Sequence, residues 1–195
     1  MKYTAGSEMM DAYRRQIADL RQKMRATQAE IEPQEVNDYE FKTPQGTVRL
    51  SELFGDHGDL MVVHNMGTSC PGCTLWADGY NGLHHHVITR TAFVVSSPDT
   101  PAVQQKFADS RGWRFRMVSH VGSSFAADMG YRSDQGGWRP GISVFRRSGA
   151  KILRVSDARW SPGDDFCTLW HFFDLLPEGA AGWSPKLSYP KKGGF

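Results

Sequence analysis

The chain has 195 residues, 39% of them hydrophobic, and 20 glycines, the size and apolar share of one ordinary globular domain with a terminal arm to spare. That composition excludes disorder over most of its length, and the lack of an apolar run of about 18 residues excludes a membrane-spanning helix. Lys+Arg 23 against Asp+Glu 21 leaves a net charge of +2, too balanced for a nucleic-acid protein recognised by bulk charge. Met1 to Gln16 turns polar before an apolar signal core could form, so no cleaved leader is expected. Three cysteines are few, and odd in number, for a disulfide-stapled secreted fold. The expectation is a soluble, cytoplasmic domain of mixed structure.

In chain order, Ser7 to about Glu32 reads as one helix. Met10, Tyr13, Ile17, Leu20, Met24 and Ile31 recur at steps of three and four, with Thr27 in the gap. Asp11 with Arg15 and Asp19 with Lys23 are spaced to pair along its exposed side. Two readings stay open: an arm that pairs with a second subunit, and a helix lying on its own domain. Glu30 to Glu40, with Pro33 inside it, is an acidic connector between arm and domain. Residues 1–36 are therefore read as arm and linker, 37–180 as the domain, and 181–195 as an extended tail.

Within the domain, Tyr39 to Lys42 and Thr47 to Leu50 are short alternating strands around the Pro44-Gln45-Gly46 turn. Leu60 to Met66 is a continuous apolar run, as a buried central strand would be. Cys70 then opens a helix that runs to about Val87. Thr91 to Ser96 predicts the next buried strand, Ala102 to Ser110 a helix, Arg114 to Val118 a strand, and Ser123 to Met129 a short helix. Gly141 to Phe145 and Lys151 to Val155 form a hairpin, and Ser161 to Leu176 predicts a closing helix. This alternation gives an α/β fold, a mixed sheet with helices on both faces, plus the N-terminal helical arm.

Cys70-Pro71-Gly72-Cys73 follows a buried strand and opens a helix, the context in which C-x-x-C reads as a redox pair. A sulfur at a helix start meets unpaired backbone N–H groups and the positive end of the helix dipole, and both favour thiolate over thiol. Cys70 is the expected nucleophile. Cys73, one turn deeper, is placed to attack a mixed disulfide on Cys70 and release the partner reduced. Pro71 suits the first helical turn, where its missing N–H is not needed, and Gly72 keeps the surface over the pair open. Half of a zinc site uses the same spacing but needs further ligands, and Cys167 is far along the chain.

The strand, the C-x-x-C helix start and a proline before a later strand resemble the thioredoxin superfamily. More specifically, the stretch from Phe41 to Gly179 resembles the thioredoxin-like family known as domain of unknown function 899. The residues that carry this are Cys70-Pro71-Gly72-Cys73-Thr74-Leu75-Trp76-Ala77-Asp78, Ser110-Arg111-Gly112-Trp113-Arg114-Phe115 and Pro140-Gly141-Ile142-Ser143-Val144-Phe145. The resemblance implies dithiol–disulfide oxidoreductase activity without a cofactor, on a protein or small-molecule disulfide or thiol. It also implies that Pro140 is the cis-proline that faces the dithiol and holds a partner's backbone. The chain departs from the best-known members in carrying Pro-Gly between its cysteines, and His64 where they carry a buried aspartate. Two readings of His64 stay open, the proton acceptor of Cys73 and a core histidine bonded to a carbonyl.

Peroxiredoxins are the neighbouring group, with the motif Pro-x-x-x-Thr-x-x-Cys. Counting back from Cys70 gives Gly67 and Val63, and from Cys73 gives Cys70 and Met66, so neither register matches. Trp76, Trp138 and Arg139 are candidate groove residues beside the dithiol, with core packing as the alternative for the tryptophans. His84-His85-His86 cannot converge on one ion from a helix, where consecutive residues diverge by about 100°, and reads as a solvated helix end. No resident metal is expected. A copper or zinc chaperone using Cys70, Cys73 and one of His64, His120 or His171 stays open, as does a non-catalytic binding module. Cys167 reads as buried filler or a third redox partner. Expected partners are a disulfide or thiol substrate and a second copy through the N-terminal helix; nucleic acid and membrane are not.

Overall fold

The computed structural model describes residues 1–190; the part of the proposed tail beyond Pro190 lies outside them. The chain divides into two compact units, Met1–Pro33 and Gln34–Phe195. The first is a single helix, α1 (Tyr3–Glu30), in which no residue is buried. Its apolar seam is exposed throughout, from Ile17 at 47% to Met24 at 70%. On its polar side Asp11 pairs with Arg14 at 2.7 Å, three residues on, where the spacing predicted Arg15.

The second unit is built on one sheet. Its strands are β1 (Gln34–Val36), β2 (Glu40–Thr43), β3 (Gly46–Arg49), β4 (Asp59–His64), β5 (Ala92–Ser97), β6 (Arg116–Ser119), β7 (Gly141–Ser148) and β8 (Lys151–Arg159). They lie in the order β1-β8-β7-β4-β5-β6-β2-β3. β4, β5 and β6 run parallel, so the chain must cross over between them, and it does so through α2 (Pro71–Val87) and α3 (Pro101–Arg111). β7 lies antiparallel to β4 and turns at Gly149 (φ +59°) into β8. The short helices α4 (Phe125–Asp128) and α5 (Thr168–Phe173) complete the unit.

Strand alternation separates two cores. Leu60, Val62, Val94 and Val118 pack beneath Leu50, Phe54, Phe125, Met129 and Tyr131. Val63 and Val95 face the other way, onto Trp76 and Ala77 of α2, Ala108 of α3, and Trp160, Cys167 and Trp170. The sheet is thus covered on both faces, as the alternation of elements predicted, and β4 is buried on both sides because it lies at the centre.

Two boundaries differ from the sequence reading. Gln34–Val36, taken as linker, is an edge strand paired with Ile152–Arg154 of β8. Acidic residues on an exposed edge are compatible with pairing on one side only, and the Glu35 carboxylate meets Lys151 Nζ at 2.6 Å. The closing helix is shorter than predicted. Asp164 draws Ser161-Pro162-Gly163-Asp164 into a turn, its carboxylate accepting the Ser161 and Phe166 N–H groups at 3.0 and 2.9 Å. An aspartate that takes nearby backbone N–H groups competes with a helix, so Cys167 precedes α5 as its cap residue.

Candidate active site

The site begins where β4 leaves the sheet. Asn65 is buried, and its N–H extends the ladder to the Ser96 carbonyl at 2.9 Å. The Asn65 side-chain oxygen then accepts the Gly67 N–H at 2.8 Å, a local turn that points the chain out of the sheet. Gly67 has φ +103°, and a Cβ there would meet the Asp99 carboxylate at 3.0 Å. Asp99, between β5 and α3, accepts the Thr68 N–H at 2.8 Å. Asp99 thus latches the loop that delivers Cys70 to the start of α2.

Cys70 is the N-cap residue of α2 and has extended backbone (φ −94°, ψ 106°). Its Sγ accepts the Cys73 N–H at 3.0 Å, the bond an N-cap side chain makes to an orphan helix donor. Pro71 occupies the first turn without loss. Cys70 is partly accessible, whereas Cys73 is 3% exposed. The Cys73 Sγ accepts the Met66 N–H at 3.4 Å. Both cysteines are free thiols.

These contacts split the two sulfurs chemically. The Cys73 thiol donates to Cys70, and the backbone N–H groups of Cys73 and Gly72 add to it, outweighing burial and lowering the Cys70 pKa to about 7. Cys73 is driven far the other way by donating to Cys70, by burial and by the negative charge of Cys70. The pair therefore holds its first negative charge on the accessible sulfur and its proton on the buried one. That is the asymmetry an attacking and a resolving thiol require.

The structure separates the other predicted site residues. Pro71 and Gly72 are half-buried beside the dithiol. Trp76 is 3% exposed, with its indole N–H bound to Asp164 at 3.2 Å, so it is core and not groove. It still bears on the site, since a Cβ at Gly72 would lie 3.3 Å from the Trp76 ring and 3.9 Å from the Cys70 sulfur. Pro140 lies at the end of the sheet where β4 leaves for the Cys70 loop, because Gly141, which follows it, is paired with His64. However, no peptide bond among the described residues is cis, which corrects the expectation drawn from the superfamily. Its carbonyl accepts the Trp160 N–H at 3.0 Å, and the Arg139 N–H goes to the Tyr131 carbonyl at 2.9 Å. These two backbone groups are already used within the fold.

His64 belongs to the face opposite α2, on the side of Val62. Its ring lies between Tyr131 (3.7 Å) and Phe125 (5.1 Å), both nearly parallel to it, and its Nε2 meets Ser143 Oγ at 2.9 Å. Burial, then the charges of His120 and Arg154, hold its pKa well below the ordinary range. The proton-acceptor role for Cys73 is corrected: α2 lies across the sheet, and His64 is a core histidine bonded to a hydroxyl. Trp138 is half-buried and held against buried His120 (5.0 Å) under the Arg132 guanidinium (4.7 Å). His120 binds Ser96 Oγ at 2.8 Å, on that same opposite face. Arg139 is exposed.

Cys167 is buried, and burial raises its thiol pKa. His85 and His86 are exposed at the end of α2. Among the described residues, no three or more His, Cys, Asp or Glu side chains are grouped to hold a metal ion. No helix among them is long and apolar enough to cross a membrane. Asp99 and Asp164 are the site-supporting residues that sequence reading missed. Asn65-Met66-Gly67 carried a turn signal for the loop, but nothing in the sequence tied that loop to Asp99.

The fold and the paired thiols at the start of α2 define a thioredoxin-like protein. The chain belongs to the family described as "Bacterial protein of unknown function (DUF899)", whose model matches residues 7–189. No curated protein matches it. Among solved structures it is similar to peroxidoxin BcpB from Mycobacterium tuberculosis, with 25% identity over 78% of this chain and 97% of that one, and a TM-score of 0.55. It is also similar to reduced Prx3 from Vibrio vulnificus, at 13% identity over 69% and 89% and a TM-score of 0.56. Peroxiredoxin Q from Xanthomonas campestris matches at 18% identity over 62% and 78%, with a TM-score of 0.53.

Proposed function

We propose that this protein is a dithiol–disulfide oxidoreductase in which Cys70 attacks and Cys73 resolves. The observation that carries the reading is the Cys73 N–H directed at the Cys70 sulfur at 3.0 Å, on an accessible thiol whose pKa lies at about 7. The Cys70 thiolate attacks one sulfur of a partner disulfide, that S–S bond breaks, and one partner thiolate leaves and takes up a proton. Cys73 then attacks Cys70 in the mixed disulfide and loses its proton. The second partner thiol departs protonated, and the Cys70–Cys73 disulfide remains. The partner is reduced by two electrons and the dithiol is oxidised by two. A Cys73→Ser variant should trap the partner on Cys70, while Cys70→Ser traps nothing and fails to reduce insulin. If Cys73→Ser holds no disulfide-linked partner and the parent protein leaves insulin oxidised, the proposal fails.

Peroxide is a second oxidant to consider, because the structural neighbours are named as peroxiredoxins. In that reading the Cys70 thiolate attacks one peroxide oxygen, the O–O bond breaks, and the alcohol or water leaves with a proton. Cys73 then condenses with the Cys70 sulfenic acid, releasing water and forming the same disulfide. Gly67 stands three residues before Cys70, where the peroxiredoxin motif has threonine, and this favours exchange over fast peroxide reduction. Rapid mixing of the reduced protein with hydrogen peroxide, against mixing with a disulfide, separates the two by rate.

The exposed seam of α1 is assigned to a second copy of the chain, through Tyr13, Ile17, Leu20 and Met24. Its steps of three and four are those of a helix that packs on a helix.

A further inference from the structure

We propose that the Tyr80 hydroxyl is the hydrogen-bond donor that receives the Cys73 thiolate when Cys73 attacks the mixed disulfide on Cys70. The inference rests on the dithiol reading above and assigns Tyr80 as a positioning residue, acting through Cys73. Tyr80 lies seven residues after Cys73 in α2, two helical turns on and on the same face. Side chains on a helix lean toward its N-terminus, so the phenol reaches back toward the Cys73 sulfur. Its ring is fixed by Phe115 at 5.0 Å, Phe93 at 5.3 Å and Trp160 at 6.2 Å.

The hydroxyl at the end of this fixed ring is buried and has no hydrogen-bond partner among the described residues. An unpaired buried hydroxyl is costly, and a phenylalanine would fill the same space without that cost. The polar oxygen is therefore explained by a state that supplies an acceptor. In the reduced protein Cys73 keeps its proton and donates to Cys70. Once Cys70 is tied up in a mixed disulfide that role ends, and the resolving step requires an anion on Cys73.

Tyr80 can serve only as a donor. Burial, and then the negative charge of Cys73, hold its phenolic proton well above the ordinary range. The groups that face it are few. Asn65, whose side-chain oxygen is taken by the Gly67 N–H, faces the hydroxyl only as a donor and leaves its proton without an acceptor, and Asp78 acts from α2 itself. His84, one turn further on, packs on the same Phe93 and Phe115. The phenylalanines and Trp160 complete the wall and do not titrate. In the step, the Cys73 sulfur bonds to Cys70 Sγ, the bond from Cys70 to the partner sulfur breaks, and the partner leaves with the proton that Cys73 gave up. Tyr80 retains its own proton throughout.

The test is rapid mixing of the reduced protein with an aromatic disulfide that releases a coloured thiolate. Attack by Cys70 gives a first phase whose rate rises with disulfide concentration. Resolution by Cys73 gives a second, concentration-independent phase, which Cys73→Ser lacks. Tyr80→Phe should leave the first phase unchanged and slow the second about tenfold at neutral pH, raising its pH midpoint by about one unit. A first phase absent from the parent protein overturns the dithiol reading. Both phases present, with the second phase and its midpoint unmoved in Tyr80→Phe, overturn the role of Tyr80. Should Tyr80→Phe fail to fold, 3-fluorotyrosine at position 80 keeps the hydroxyl and makes it a stronger donor. The midpoint must then move down, and an unmoved midpoint overturns the proposal equally.

Discussion

The Asp99 carboxylate binds the Thr68 N–H at 2.8 Å from an element on the far side of α2 in sequence. It does so by standing where a side chain on Gly67 would project. With the Asn65 turn, this acceptor holds the loop between β4 and α2 and so helps set where Cys70 meets the helix start. Asp99→Ala should lower stability by about 1–3 kcal/mol, read as a lower urea midpoint. It should also slow Cys70 alkylation at neutral pH, because a loosened loop no longer holds the sulfur on the Cys73 N–H. Alkylation at the parent rate would show that the helix start organises itself.

The pKa of Cys70, lowered to about 7, predicts the pH dependence of its chemistry. Iodoacetamide reacts with thiolate, so the rate at Cys70 should rise with pH and reach half its plateau near pH 7. An ordinary thiol does so about 1.5 units higher. The folded state favours the anion, so this contribution to stability is fully present above the ordinary thiol pKa and is lost as pH falls through about 7. Cys70→Ser should remove the fast-reacting thiol. A midpoint at the ordinary value would remove the electrostatic basis of the proposed function.

His64 and His120 are both buried and held neutral, His64 by burial and then the charge of His120, and His120 at a pKa of about 4 by burial and then Arg132. The unfolded chain protonates them near pH 6.5 and the folded chain does not. Stability should therefore be intact above about pH 6.5 and fall below it, for His120 until pH reaches about 4. Urea midpoints measured from pH 7 to pH 4 should drop progressively. His64→Phe, which keeps a ring between Tyr131 and Phe125, should flatten the slope. An equal slope in that variant would place the acid sensitivity elsewhere.

The α1 seam gives a prediction about assembly. Replacing Ile17 and Leu20 together with glutamate puts charge into a surface that should be apolar and shared. The pair should convert a dimer to a monomer in sedimentation without changing Cys70 reactivity. A parent protein that is already monomeric at micromolar concentration would refute the pairing.

How much of this was legible in the sequence follows from the range of the interactions involved. β4 to α2, β5 to α3 and the β7–β8 hairpin were readable because apolar runs, glycines and prolines act locally and punctuate the chain. The same holds for the assignment of Cys70 to the start of α2, since the strand before it and the helix after it mark that place in the chain. The two readings of His64 stayed open because period-two alternation says which residues share a face but not which face meets α2. Pro140 stands where the resemblance put it, beside His64 in the register, but its peptide bond is not cis, and the surroundings of Trp138 depend on contacts between distant segments that neighbouring residues do not encode.

By itself the sequence determined the α/β order, the central strand, the paired thiols and the amphipathic arm, all consequences of periodicity and backbone propensity within a few residues. Only the tertiary structure decided that Asp99 latches the loop, that Trp76 is core, that His64 lies on the face away from α2 and that the Tyr80 hydroxyl is buried without a hydrogen-bond partner among the described residues. Those outcomes depend on contacts between distant segments. Burial there raises the cost of every unpaired polar group, so the fold and not the local sequence assigns each one its partner.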